Sequence, residues 1–227
     1  MKIVTYAFLL VAAAFQIQRT SPMADYLAEG GDPQRTGWVQ DEETFNTTNV
    51  RNMKLLWKIK LDTPPREMHN LFPPLIVGNV TTEGGQKQIA VVAGVSDTLF
   101  GIDVDAGAVL WSRKFDSTYT PQAGARGAGT LCPGGQTAVP VVGPGNGPGK
   151  YTIYAVSWDG RLRQVNVADG KDVSPAEKFA PPNAKPYALN LFNGAIYTTV
   201  AQGCGGIPFS FQSRYGFAPI RQPLYGL

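Results

Sequence analysis

Few side chains in this chain of 227 residues are suited to acid–base, nucleophilic or metal chemistry. There is a single histidine, His69, and there are two cysteines, Cys132 and Cys204. Glu67 and Arg126 are further candidates in loops. Structural zinc sites need four Cys or His ligands, and a catalytic triad needs a nucleophile, a base and an orienting group. Nothing in the spacing of these residues forms either, so the sequence assigns no catalytic and no metal-binding residue.

Both cysteines lie beside paired glycines, Cys132 in TLCPGG and Cys204 in QGCGG. Glycine lets two backbone segments approach closely. In an oxidising compartment an even pair of cysteines can form a disulfide. The sequence therefore predicts a Cys132–Cys204 disulfide, with two unrelated, half-buried thiols as the alternative.

The N-terminus has the pattern of a secretory signal peptide. Lys2 is followed by an apolar run over residues 3–14, and three small residues end at Ala14, where cleavage is expected. The run is too short to span a bilayer comfortably, although an uncleaved anchor is the alternative. We expect a signal peptide at residues 1–14, no later transmembrane span, and export to the periplasm or the extracellular space.

The composition favours a β protein with many turns. Only 16% of the residues are charged, while there are 26 glycines and 18 prolines. Such a balance is typical of short strands joined by turns. The net charge is +3 and the basic residues are scattered, so nucleic-acid binding is not expected.

The chain contains an internal repeat. LFGIDVDAGAVL (99–110) is echoed by LRQVNVADGKDV (162–173), which places Gly107 opposite Gly170, each where a turn needs a left-handed residue. Trp57 in LLWKIKLD and Trp111 in VLWSRKFD each have, starting three positions further on, a basic residue, an apolar residue and Asp. The same order of elements therefore occurs more than once along the chain.

Each copy reads as four short antiparallel strands with a buried second strand and a half-exposed fourth. This pattern predicts an all-β fold, a β-propeller built from four-stranded antiparallel blades. A parallel β-helix has much shorter coils, and a β-sandwich does not explain the ordered repeat. The predicted strands are 73–80, 87–95, 98–104 and 108–115 in the first blade, and 136–143, 150–158, 161–168 and 171–179 in the second.

The predicted propeller is incomplete. LLWKIKLD (55–62) looks like a fourth strand without the first three, and KPYALNLFNGAIYTTVAQG (185–203) supplies two strands of a third blade. The predicted propeller region, residues 25–206, thus holds about two and a half blades plus a closing strand. Residues 207–227 form an irregular tail, which we interpret as out of frame in a fragment of a longer gene. Sequencing through the stop codon tests this. An unclosed propeller also raises the hypothesis that the chain alone is non-functional.

Several stretches carry a resemblance to a known family. GGDPQRTGW (30–38), NVRNMKLLWKIKL (49–61), SDTLFGIDVDAGAVLWSRKF (96–115) and, more weakly, WDGRLRQVNVADGKDVSPAEKF (158–179) resemble quinoprotein propellers, the pyrroloquinoline-quinone (PQQ) dehydrogenases and their non-catalytic relatives. The resemblance covers about residues 25–206. It implies that the Trp ending each repeat packs between blades, a role for Trp57 and Trp111, whereas Ser174 occupies that position in the weaker copy.

The resemblance also raises a cofactor question. Alcohol-oxidising members hold PQQ and calcium and carry an adjacent cysteine pair, which this sequence lacks. No cofactor is evident from the residues, and PQQ and calcium are implied only for a full-length parent. We expect an exported PQQ-repeat propeller acting as a binding or scaffold module, with protein partners in the cell envelope. The alternative is the N-terminal part of a PQQ- and calcium-dependent alcohol or sugar dehydrogenase, so enzymatic activity stays open.

Overall fold

The structure, a computed structural model, describes residues 25–40, 42–62, 71–94, 97–116, 138–182, 185–201 and 220–221. These residues are almost entirely β-strand and turn, with one short 3-10 helix at Val50–Asn52. In the same ranges, no helix is long and apolar enough to cross a membrane. The predicted signal peptide and most of the predicted tail lie outside them.

The strands form three antiparallel sheets, each a meander in which chain neighbours pair. This confirms the predicted all-β fold with four-stranded antiparallel repeats. The first sheet contains β1 (Leu75–Thr82), β2 (Gly85–Gly94), β3 (Thr98–Asp103) and β4 (Ala108–Lys114). The second contains β5 (Val141–Pro144), β6 (Tyr151–Val156), β7 (Arg161–Asn166) and β8 (Asp172–Lys178). The third contains β9 (Lys185–Phe192), β10 (Ala195–Ala201) and the two-residue β11 (Ile220–Arg221), which pairs with β10 although its segment was predicted to be irregular.

The last turn of each four-stranded sheet is built in the same way. The Asp103 carboxylate accepts hydrogen bonds from the next turn's backbone, including one from Ala106 N at 3.1 Å, and Gly107 N donates to Asp103 O at 2.9 Å. In the second sheet the Asn166 side chain caps the equivalent turn, and Gly170 N donates to Asn166 O at 2.9 Å. Gly107 and Gly170 have φ of +62° and +72°, in the left-handed region that favours glycine. The internal repeat is therefore a repeat of turn chemistry as well as of apolar pattern.

The three sheets stack face to face. Side chains alternate along the second strand of a sheet, and this alternation determines which of them pack against each neighbouring layer. On β2, Ile89 and Val91 pack in one core cluster together with Ile153 of the second sheet, whereas Ala90 and Val92 belong to a separate cluster on the other face. Side chains alternate between the two faces of a strand, so a strand covered on both sides must be apolar throughout. On β6, Tyr154 and Val156 likewise face away from the first sheet, in a cluster that includes Leu189 and Ile196 of the third.

Residues 42–62 are here called the arm, and the C-terminal part of the arm packs on the outer face of the first sheet. Trp57, Ile59 and Leu61 pack against its apolar side chains, and Lys58 and Lys60 are exposed. This is the predicted alternation, but residues 53–62 form no strand in the structure. A strand is defined by its backbone ladder, and within the described residues no neighbouring strand is available to pair with this segment.

The segment at residues 25–33 crosses the first strands of all three sheets. Tyr26 exchanges backbone hydrogen bonds with Ile76 of β1 at 2.8 and 2.9 Å, and Leu27 O accepts one from Val142 N of β5 at 2.8 Å. Further along, the Asn190 side chain of β9 donates to Pro33 O at 2.7 Å. One segment of nine residues thus ties the three repeats together.

Candidate functional site

Two tryptophans cross the boundaries between successive repeats. The indole N–H of Trp57 donates to Val104 O at 2.7 Å, in the turn after β3. The indole N–H of Trp111, on β4, donates to Val167 O at 2.9 Å, at the equivalent place in the second sheet. Each indole therefore satisfies its buried donor on the backbone of the next repeat.

Glycine makes room for each of these indoles. A Cβ built on Gly107 would lie 2.5 Å from Cγ of Trp57, and one on Gly170 would lie 2.7 Å from Cε3 of Trp111. Neither distance is compatible with a side chain at that position. The two glycines are therefore needed both for the turn and for the approach of the ring. Ser174, at the Trp position of the weaker copy, leaves its hydroxyl buried without a hydrogen-bond partner.

A buried carboxylate lies at the other end of the boundary between the first two sheets, in the turn between β2 and β3. Asp97 is 3% exposed and has φ of +58°. Both of its carboxylate oxygens lie 3.1 Å from the backbone nitrogen of Trp158, in the turn between β6 and β7. Its own carbonyl oxygen accepts a hydrogen bond from Phe115 N at 2.7 Å. Asp97 therefore hydrogen-bonds both to the residue that follows β4 and to the β6–β7 turn of the second sheet.

A network of polar side chains surrounds this contact. Arg163 reaches Oδ2 of Asp159 at 3.3 Å, Oγ of Ser157 at 2.9 Å and Asp116 O at 3.1 Å. Its guanidinium also lies 5.3 Å from the ring centre of Phe115, a cation–π distance. We call Asp97, Ser157, Trp158, Asp159 and Arg163 the seam cluster.

Electrostatics single out Asp97 within the seam cluster. Burial away from water raises the pKa of Asp97 to about 7, and repulsion from Asp159 acts in the same direction. The Trp158 N–H bond and the charges of Arg163 and Lys114 oppose the shift. A group with a pKa near neutrality can exchange a proton under physiological conditions. Among the described residues, the indole N–H of Trp158, 4% exposed as a residue, has no hydrogen-bond partner, and buried donors of this kind are usually satisfied by protein, water or ligand.

A cleft of about 530 Å³ opens between the first two sheets at the opposite end of the strands. Its lining includes the Trp111 ring, Lys150 and Glu83. Two further lysines in the lining are paired, Lys87 with Asp103 at 2.5 Å and Lys171 with Asp169 at 3.3 Å. Ligand pockets commonly have volumes of this size, so the cleft can hold a small polar ligand.

The candidate residues from the sequence fall into two groups. Trp57, Trp111, Gly107 and Gly170 are all described, and the structure brings them together in the two pairs given above. The remaining candidates lie outside the described residues, and their positions, together with the predicted disulfide, stay predictions: Glu67, His69, Arg126, Cys132 and Cys204.

The described residues do not fit a calcium site. Calcium takes six to eight oxygen ligands, and no group of three His, Cys, Asp or Glu side chains in the described ranges is placed to hold a metal ion. The buried carboxylates of the repeats are instead used in turns and ion pairs, Asp103 with Lys87 and Asp159 with Arg163. No chemical step through calcium or PQQ follows from these residues.

Asp97 is absent from the candidates that the sequence offers, because an aspartate in a turn is explained by the turn itself. The turn interpretation is correct for its backbone, which has a positive φ. Its carboxylate, however, contacts a residue 61 positions away. One sequence signal was available: in the repeat alignment Asp97 stands where the second copy has Gly160, whose φ is +78°. A carboxylate replacing glycine in a turn indicates a further role.

Comparisons with known proteins address the fold. No protein-family model and no curated protein matches this sequence. Among solved structures, the chain is similar to quinohemoprotein alcohol dehydrogenase from Comamonas testosteroni, with a TM-score of 0.53 and 20% identity over 78% of this chain. It is also similar to a europium-containing methanol dehydrogenase (TM-score 0.48, 16% identity, 78% of this chain) and to BamB from Moraxella catarrhalis (0.32, 17%, 56%).

The first of these similarities shows the fold and no more. With its four-stranded antiparallel sheets, the chain has the architecture of a β-propeller, and its described residues form part of one. The chain spans 23%, 27% and 33% of the lengths of the three proteins, respectively.

Proposed function

We propose that this chain belongs to an exported propeller that acts as a protein-binding or scaffold module in the cell envelope. The observation that carries this proposal is a set of exposed large apolar side chains on the arm. Leu55 is 83% exposed and Leu56 is 87% exposed, and Phe45, Val50 and Met53 of the same segment are also exposed. Large apolar side chains concentrated on an exposed segment are typical of a site of interaction with another macromolecule.

The arrangement of the described carboxylates supports the same proposal. Asp103, Asp159 and Asp169 hold turns or pair with basic side chains, so they serve structure. Asp97 is closed off inside the boundary between two sheets, out of reach of a substrate. A binding role uses the surface of such a framework, and enzymatic chemistry needs reactive groups that a substrate can approach.

Site-specific photo-crosslinking in the producing cell tests the proposal. The crosslinking residue p-benzoylphenylalanine replaces Leu56 in the full chain, and irradiated cells are examined for adducts. We expect one dominant adduct of defined mass, because a buried interface residue contacts a single partner. The matched control carries the same residue in place of Lys178, which is also exposed but lies at the end of β8. Equal adducts at both positions, or none at position 56, would refute the proposal.

The dehydrogenase alternative is tested separately with the purified chain. PQQ and calcium chloride are titrated together, and binding is followed by calorimetry and by the absorbance of the quinone. Dye reduction with alcohols and aldoses follows on the same samples. We expect no saturable binding and no turnover. Stoichiometric PQQ binding with alcohol-dependent dye reduction would establish the alternative.

Export rests on the N-terminal pattern and has its own test. The chain is expressed in a Gram-negative host, and the protein of the periplasmic fraction is sequenced from its N-terminus. We expect a mature sequence that begins at Phe15, directly after Ala14. Recovery of the protein in the cytoplasm with residues 1–14 intact would contradict export.

A further inference from the structure

A single buried acidic side chain, that of Asp97, contacts the backbone of Trp158 and so links the first two repeats. The carboxylate belongs to the turn between β2 and β3, and the amide belongs to the turn between β6 and β7. Both residues are almost fully buried. Separation of these turns would return the carboxylate to water, where a carboxyl group is ionised above about pH 4.

In the described ranges, the charged groups around Asp97 come from three elements packed against it. Lys114 lies at the end of β4, Asp159 in the opposite turn and Arg163 on β7. Arg163 is already engaged by Asp159 and Ser157, and Asp116 contributes only its backbone carbonyl to Arg163. Among the described residues, the partner that hydrogen-bonds the Asp97 carboxylate is the neutral amide of Trp158. A buried acid without a paired cation favours its protonated form.

We propose that Asp97 is a proton-controlled latch between the first two repeats, closed when its carboxyl group is protonated and released as that proton passes to solvent. In the closed state the protonated carboxyl still accepts the Trp158 N–H bond through its carbonyl oxygen. On opening, the carboxyl group reaches water and gives up its proton. Acidic conditions therefore hold these two turns together, and neutral conditions favour their separation, while the shared core and the Trp111–Val167 hydrogen bond keep the two repeats packed.

The direction of the pH effect follows from linkage. The pKa of Asp97 is about 7 in the closed state and has its ordinary value near 4 once the group is in water. Between these two values the closed state binds more protons than the open state. The opening equilibrium constant therefore rises with pH by up to about tenfold per unit from pH 4 to 7 and becomes constant above that.

Hydrogen exchange at individual amides measures this opening. The reporter is the backbone amide of Trp158, and its exchange rate is divided by the intrinsic rate at each pH from 4.5 to 8.5. We expect the corrected opening constant to rise at least tenfold between pH 5 and pH 7 and to be flat between pH 7.5 and 8.5. The Val142 amide, which donates to the backbone carbonyl of Leu27 at 2.8 Å, serves as an internal reference, because no titratable group accepts its hydrogen bond.

Two variants separate the latch from general loss of structure. Asp97→Asn keeps a neutral side chain of the same shape and tolerates a positive φ, so its Trp158 amide is expected to show no pH dependence in this range. Asp97→Gly keeps the turn and removes the carboxyl group, as in the equivalent turn with Gly160. Asp103→Asn is the matched control, since Asp103 is also buried but lies at the opposite end of the strands, and it should keep the wild-type profile.

The results decide the proposal in either direction. The latch is supported if the opening constant of the Trp158 amide rises with pH in the wild type, if both Asp97 variants abolish this rise, and if Asp103→Asn preserves it. A flat wild-type profile overturns it, as does an unchanged slope in Asp97→Asn or in Asp97→Gly. If one variant fails to fold, the wild-type profile and the other variant still give the answer.

Discussion

The indole N–H of Trp111 donates a hydrogen bond to the backbone carbonyl of Val167, 56 residues further along the chain, at 2.9 Å. Trp57 makes the same bond to Val104, 47 residues away. In both cases the ring lies over the glycine of the turn that supplies the acceptor. Trp57 links the arm to the third turn of the first sheet, and Trp111 links β4 to the third turn of the second sheet. Both contacts therefore connect the repeats independently of the order of strands within each sheet.

Replacement of Gly170 by alanine should destabilise the protein by about 3 kcal/mol, the sum of a left-handed backbone penalty and overpacking against Trp111. The new Cβ would lie 2.7 Å from Cε3 of the ring. Urea unfolding followed by tryptophan fluorescence gives the free energy of unfolding. Gly37→Ala is the control, since Gly37 has nearly the same φ, +70°, but no atom of the described residues lies within 4 Å of its new Cβ. Equal losses in the two variants would show that the ring contact contributes nothing.

Substitution of Trp111 separates its hydrogen bond from its packing. Trp111→Phe keeps an aromatic ring and removes the donor, and we expect a loss of about 1 kcal/mol. Trp111→Ala removes the ring as well and should cost about 3–5 kcal/mol. Thermal unfolding by circular dichroism ranks the two variants. A larger loss for Trp111→Phe than for Trp111→Ala would contradict the geometry described here.

The ion pair between Lys87 and Asp103 predicts a specific acid dependence. The Lys87 ammonium and the turn amides hold the pKa of Asp103 below its ordinary value. Its contribution to stability is therefore present above about pH 4 and is lost as the pH falls further. Asp103→Asn keeps a turn-capping oxygen, as Asn166 does in the second repeat, but loses the pair. We expect the variant to lose about 1 kcal/mol of the free energy of unfolding at pH 7, and this difference from the wild type becomes smaller as the pH falls below 4. Urea unfolding at pH 7 and below pH 4 measures the difference. A loss independent of pH would rule out the ion pair as its cause.

The predicted disulfide can be tested directly. Cys132 and Cys204 are the only cysteines in the sequence, so a bridge between them removes two hydrogens from the mass of the chain. Protein recovered from the periplasm is denatured and treated with iodoacetamide, with and without prior reduction. We expect alkylation of both cysteines only after reduction. Full alkylation without reduction would show two free thiols, and the Cys132→Ser variant, which should form intermolecular dimers through Cys204, provides the control.

The repeat could be predicted because its information is local. Asp103 and Asn166 cap their own turns, Gly107 and Gly170 supply the left-handed residue, and strands such as β2 are apolar on both faces. Each of these features depends on neighbours in the chain, and the sequence displays them at a constant spacing. The strands of the two four-stranded sheets therefore lie within a few residues of their predicted positions, apart from the start of β5.

The arm shows where this local information ends. The alternation of Trp57, Ile59 and Leu61 with lysines indicated a strand, and the burial pattern agrees. A strand also requires a backbone partner, and partners are supplied by tertiary structure. The same limit applies to residues 25–33, whose hydrogen bonds to three different sheets have no counterpart in any sequence pattern.

By itself, the sequence determined an all-β chain of four-stranded repeats, with the turns and apolar strands that each repeat needs, because those features are set by residues close together in the chain. Only the tertiary structure decided which side chains meet across the repeats. Asp97 and Trp158 are 61 residues apart, and the burial that raises the pKa of Asp97 arises only when two sheets pack together and exclude water from the carboxylate.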